Sequence, residues 1–165
     1  MKKIALTILL IPSLIIAVGN TGPSRAAQKI TMHFFFSGIC PSCKQAKKDM
    51  PDIQKQFPSL MVVTHEVRNS QGIVTAANNV NIKKLIDMLS EMDRSSKGEP
   101  FIYEGGKAYP FLLDKGIPCY RKKISESTTL TKEIPVPVFI LGGKVLLGYQ
   151  RHILQRELVR LAGGK

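Results

Sequence analysis

Near the start of its apolar part the chain changes period abruptly. From Lys29 to Phe36 it reads KITMHFFF, an almost unbroken apolar and aromatic stretch. A run of this kind, without alternation, reads as a strand buried on both faces, as in a parallel sheet. After a short turn containing Gly38 the spacing becomes helical. Ala46, Met50, Ile53 and Phe57 recur three or four residues apart, while Lys44, Lys47, Lys48, Asp49, Asp52 and Lys55 fill the other side. That is an amphipathic helix, and Pro51 inside it predicts a kink. Cys40-Pro41-Ser42-Cys43 lies at the junction of the two patterns. Such a pair is half of a metal site, a structural staple or a redox couple.

The rest of the chain supplies a frame for that junction. Leu60 to Val67 reads as a second strand. Ile82, Leu85, Ile86, Leu89 and Met92 mark a second helix, with Asn81 as its expected cap. Val138 to Leu141 and Val145 to Tyr149 are two strands joined across Gly142-Gly143, a hairpin. Leu154, Leu158 and Leu161 mark a last helix. The order is β, α, β, α, β-hairpin, α, which predicts an α/β fold with a central sheet flanked by helices. Residues 94–134 interrupt it, and a structureless connection of that length is unusual in a compact domain. Pro100 to Phe111 predicts a small hairpin turning at Gly105-Gly106. DKGIPCYRKKIS, which follows, carries Cys119 and a cluster of basic residues. The expectation is an insertion, at about 94–134, that packs on or near the face carrying the cysteines.

The N-terminus bears on the compartment. Met1-Lys2-Lys3 is a basic head, and Ile4 to Val18 is apolar and uncharged. Ser24 and Ala26 are the small residues a signal peptidase requires, which predicts cleavage before Ala27; Gly19 offers a second site. The alternative is an uncleaved anchor, but Ile4 to Val18 is interrupted by Pro12 and falls short of the roughly 20 residues that span a bilayer. Both readings place the bulk of the chain outside the cytosol, in a periplasmic or other extracytoplasmic space. Residues 27–165 are enough for one domain with a real core and too few for two.

Removing residues 1–26 takes away Lys2, Lys3 and Arg25 and no acid, so the net charge falls from +12 to +9. A basic surface favours acidic partners or an anionic membrane face. Nucleic acid is disfavoured by the export signal and by the lack of a nucleic-acid motif. A solvated basic surface accounts for the charge as well. Three cysteines allow one pair and a leftover. A bridge from Cys40 to Cys43 closes so small a loop that it constrains the unfolded chain only weakly, which argues against a staple.

Placed where a buried strand meets a helix, Cys40 lies at the helix N-terminus. Unpaired N–H groups and the helix dipole favour a thiolate there, so its pKa should fall. Lys44, Lys47 and Lys48 add positive potential. Pro41 suits the first helical turn because it has no N–H to leave unpaired. Cys43, one turn on, joins the apolar stripe and should be shielded. One exposed acidic thiol beside one protected thiol is the asymmetry that a dithiol exchange catalyst needs.

On these residues the chain resembles the thioredoxin-like superfamily, and within it exported thiol:disulfide oxidoreductases. The resemblance covers most of residues 28–93 and 134–163. It extends to VPVFILGGKVLLG, Val136 to Gly148, which is similar to the segment of glutaredoxins in which a proline opens a strand and a glycine turn follows. The resemblance implies a thioredoxin-like fold with a mixed sheet and an insertion before the proline hairpin. It implies catalysis by Cys40 and Cys43, cycling between dithiol and redox-active disulfide. It also implies a cis-proline at Pro137 facing the cysteines, with Val136 offering its backbone to substrate. Pro135 is the competing proline; the distances to Gly143 and Gly148 favour Pro137. The implied substrates are protein thiols and disulfides, the implied partner is an exported or membrane redox protein, and no cofactor is needed. The direction of exchange and the oligomeric state stay open. The chain departs from thioredoxin in having Phe34 where that protein has a buried acid, Ile39 beside the first cysteine, and no tryptophan. Proton handling in the second step would then fall to water or to a residue of the insertion.

Two other readings stand beside this one. Cys40 and Cys43 have the spacing of half a zinc or copper site, which Cys119 with His33, His65 or His152 would complete. The chain could also be a binding module on the same scaffold without catalysis. Taken singly, His33 and His65 read as packed strand histidines and His152 as exposed at the start of the last helix. Cys119 reads as a spare thiol in a loop, or else as a relay with Cys40 or a link between chains. Phe34, Phe35 and Phe36 read as core.

Overall fold

The computed structural model describes residues 29–109, 111–114, 117–124, 127–131 and 135–163, with side chains described through 111 and from 135 onward. The expected leader at 1–26 lies outside the described residues. The architecture is α/β: a six-stranded mixed sheet, a second sheet of three strands, and three helices.

The strand β1 (Ile30–Ser37) is the centre of the molecule. It pairs in parallel with β2 (Leu60–Arg68) and antiparallel with β8 (Val138–Leu141). Burial on both faces and a mixed sheet are both as expected. The faces divide by alternation. Ile30, Met32, Phe34 and Phe36 pack with Ala46, Met50 and Ile53 of α1 (Pro41–Gln56) and with Leu154 and Leu158 of α3 (Arg151–Gly163). Phe35 packs on the opposite face with Leu85 and Leu89 of α2 (Ala76–Ser96). The sheet is thus the middle of three layers. Fully burying a phenylalanine is worth about 1.5–3 kcal/mol, so three consecutive ones in the central strand anchor both layers. The helix α1 continues through Pro51.

The start of α2 differs from expectation. Thr75, not Asn81, is the cap: its Oγ1 accepts from Asn78 N at 3.3 Å, and Asn78 Oδ1 accepts from Thr75 N at 2.9 Å, a capping box. The cap lies six residues before Asn81 because the first turns of the helix face the end of β2 with amides instead of apolar groups. Asn78 Nδ2 and Asn81 Nδ2 both donate to Glu66 O, at 2.9 and 2.8 Å. Apolar periodicity therefore starts only at Ile82.

The hairpin across Gly142-Gly143 is present, joining β8 to β9 (Lys144–Leu147), and both glycines have positive φ. The strand ends at Leu147, not at Tyr149, because Gly148 turns the chain with φ 74°. The predicted turn at Gly105-Gly106 is also present, between β3 (Ile102–Glu104) and β4 (Lys107–Tyr109). This hairpin does not lie over the cysteines. β3 pairs in parallel with β9, giving the sheet order β2-β1-β8-β9-β3-β4 and putting the hairpin at the edge remote from β1. The segment reads as an insertion in sequence but becomes sheet, because Ile102 and Phe101 can be buried on the α2 side. β5 (Phe111–Asp114), β6 (Ile117–Ile124) and β7 (Ser127–Thr131) form the second sheet. Cys119 is in β6 opposite Leu112, so it is on a strand and not in a loop. Its side chain lies outside what is described.

Candidate functional site

The turn between β1 and α1 is held by backbone contact. Gly38 N donates to Arg68 O at 2.9 Å, and a Cβ at Gly38 would stand 2.5 Å from Ser70 N. Only glycine fits so close an approach. The segment it touches is itself closed on Asn69, whose Oδ1 accepts from the backbone N of Gln71 and Ile73 at 3.0 and 2.9 Å. The position of Cys40 is therefore fixed from β2 as well as from β1.

Cys40 is the N-cap of α1, with φ −76° and ψ 119°, and Pro41 follows at the first helical position. Its Sγ accepts from Cys43 N at 3.3 Å, lies 3.4 Å from Ser42 Oγ, and donates to Val136 O at 3.5 Å. Cys40 is half-buried and Cys43 is buried in the stripe Cys43, Ala46, Met50, Ile53; both are free thiols. The two sulfurs differ in acidity. Burial works against a thiolate at Cys40. Hydrogen bonds from the side chains of Cys43 and Ser42, and then from their backbone N–H groups, outweigh it and hold the thiol below the ordinary cysteine value. Cys43 is pushed up to about 12, first by burial and then by the hydrogen bond it gives to Cys40.

Val136 and Pro137, expected opposite the cysteines, are brought there. The Val136–Pro137 peptide bond is cis, the carbonyl of Val136 faces Cys40 Sγ, and Pro137 O accepts from Gly148 N at 2.9 Å. The lysines are distributed differently from expectation. Hydrogen bonds, not Lys44 or Lys48, are what lower Cys40 most. Lys47 Nζ lies 3.2 Å from the centroid of the Phe36 ring, a cation–π contact, and its charge bears on Cys43.

His33 and His65 pair with each other on the α2 face of the sheet, and His152 is exposed on α3. Among the described residues no group of three or more His, Cys, Asp or Glu is disposed to hold a metal ion. Three features had no clear sequence signal. Ser42 is visible only as a hydroxyl inside the motif. The Asn69–Thr75 loop is announced by turn residues, but its contact with Gly38 is not. Tyr149 donates to Asp49 Oδ2 at 2.7 Å, fastening α1 to the end of β9 across 100 residues. No helix among the described residues is long and apolar enough to cross a membrane. Compared with family models, with curated proteins and with solved structures, the chain gives no match.

Proposed function

We propose that the chain is an exported thiol:disulfide oxidoreductase of thioredoxin-like fold, exchanging disulfides with protein substrates through Cys40 and Cys43. The order β2-β1-β8-β9, with helices on both faces, supports the fold. The observation that carries the activity is the unequal pair: a helix-capping thiol of lowered pKa, half-buried, beside a buried thiol pushed up to about 12.

In the reductive direction the Cys40 thiolate attacks a substrate disulfide. An S–S bond forms between Cys40 and one substrate sulfur, and the other leaves as a thiolate that takes up a proton. Cys43 then loses its proton to water and attacks Cys40 Sγ. The mixed disulfide breaks, the second substrate thiol is released, and the protein holds the Cys40–Cys43 disulfide. Two electrons have passed to the substrate. In the oxidative direction the same steps run backwards. Val136 and Pro137 border the attacking sulfur, where they would hold an extended substrate strand. An exported or membrane redox protein would reset the pair.

A lowered pKa at Cys40 stabilises the reduced form, which makes a pair more oxidising. A potential near about −120 mV would make the pair a disulfide donor, and one near about −270 mV, thioredoxin's, would make it a reductase. Equilibration in glutathione buffers, with Cys119→Ser to leave one pair, measures it. A protein in which Cys40 and Cys43 form no reversible disulfide would end the proposal.

A further inference from the structure

The surface beside Cys40 carries two kinds of side chain on two sides. Ile39, Ile73 and Val74 are exposed by 50%, 57% and 41%. Single exposed apolar residues are ordinary on any protein surface. These three are not scattered. A Cβ at Gly72 would stand 3.2 Å from Ile39 Cδ1, so Ile39 lies against the loop that presents Ile73 and Val74. The loop is held rigidly by the Asn69 hydrogen bonds and by its contact with Gly38. Side chains four apart on a helix share a face. Cys40 at the N-cap is therefore continued along α1 by Lys44 and Lys48, both exposed and neither in an ion pair among the described residues. The attacking sulfur thus has an apolar shelf on its β2–α2 side and a row of cations on its α1 side.

We infer that this surface selects its substrate: a protein segment whose reactive cysteine has an apolar residue on one flank and acidic residues on the other. The inference rests on the redox reading above and adds a substrate class to it. The shelf takes the apolar side chain out of water, and the lysines meet the acidic flank, in keeping with the excess of basic over acidic residues in the chain. The covalent step is the exchange of Cys40 and Cys43 with the substrate disulfide.

The test compares rates of thiol–disulfide exchange for synthetic peptides against 2-hydroxyethyl disulfide, a small neutral probe that reaches Cys40 without using either flank. The peptides carry a cysteine disulfide flanked by Leu and Glu, in both orders, or by Ser and Lys. The expected result is about a tenfold preference, relative to the small probe, for one of the Leu/Glu peptides. That preference should be lost in the double variant Ile73→Ser with Val74→Ser, and should weaken with salt and in Lys44→Gln with Lys48→Gln. Equal relative rates for all peptides would overturn the inference and leave the redox reading standing. A preference that survives the Ile73→Ser and Val74→Ser changes would also overturn it, because another surface would be the cause. Failure of the wild-type protein to exchange even with 2-hydroxyethyl disulfide would overturn both.

Discussion

His33 Nδ1 and His65 Nε2 stand 3.0 Å apart, with their ring planes inclined by only 15°. The ring centroids, 5.3 Å apart, are separated by the N···N distance plus a ring radius on each side, so the rings meet edge to edge and share one hydrogen. Whichever of the two facing nitrogens carries the hydrogen donates it to the other. Burial lowers both pKa values from 6.5, and the nearby Lys84 charge lowers them further.

The sign of the pH effect follows. The folded pair binds fewer protons than the unfolded chain just below pH 6.5. Stability should be level above about pH 7.5, fall as the pH drops through 6.5, and level again once the folded histidines are themselves protonated. Urea midpoints at half-unit steps from pH 8 to pH 5 measure this. His33→Gln with His65→Gln should flatten the slope in that window. An equally steep slope in the double variant would assign it to other groups.

The two thiols should be chemically distinguishable at neutral pH. Iodoacetamide, applied to the reduced Cys119→Ser protein, should add one group, at Cys40, because Cys43 is pushed up to about 12. Ser42→Ala removes one of the groups that lower Cys40, so the pH midpoint for alkylation should move upward. Peptide mass mapping after timed quenching reads both results. Equal labelling of the two cysteines would contradict the assigned asymmetry.

Gly38→Ala should be costly. Its Cβ would meet backbone atoms of Ser70 at 2.5 and 2.6 Å, and backbone cannot rotate away as a side chain can. The expected loss is about 1–3 kcal/mol in denaturant unfolding. Gly98→Ala separates the two causes: nothing lies within 4 Å of its Cβ, but its φ of 85° strains an alanine. It should cost about 1–2 kcal/mol, through φ alone.

Thr75→Ala removes one half of the capping box at the start of α2 and should cost about 1 kcal/mol. Asn81→Ala, by contrast, should act through the lost bond to Glu66 O and not through the helix end. Hydrogen exchange at the first amides of α2 separates them. The Thr75 variant should speed exchange at the N-terminal turn, and the Asn81 variant should leave that turn protected.

Much of this architecture is legible in the sequence where period and burial coincide. Phe34, Phe35 and Phe36 announce a strand closed on both faces, and Cys43, Ala46, Met50 and Ile53 announce a helix facing it. The hairpin at Gly142-Gly143 is legible because turn chemistry is local. The apolar spacing starts beside Asn81 and so points to it as a cap, whereas the helix start is set by the bond that Asn78 N donates to Thr75 Oγ1 and by amides reaching Glu66. The hairpin at Gly105-Gly106 is a local signal, but its pairing with β9 depends on partners some 40 residues away. At the site, Cys40 and Cys43 are marked by spacing. The place of Val136 beside Cys40 Sγ is legible only through the resemblance carried by Val136 to Gly148, and the lodging of Lys47 on Phe36 depends on a tertiary contact that no spacing encodes.

The contact of Gly38 with Ser70 bears on how this site could be moved to another scaffold. Cys-Pro-Ser-Cys is four consecutive residues, but the place its first sulfur occupies is defined by three separated stretches of chain: the turn at Gly38, the loop closed by Asn69, and the Val136–Pro137 peptide. A graft of the tetrapeptide alone would carry the reagent without its coordinates. The smallest transplantable unit is β1 through the start of α2 together with the β8–β9 hairpin, which is to say most of a sheet.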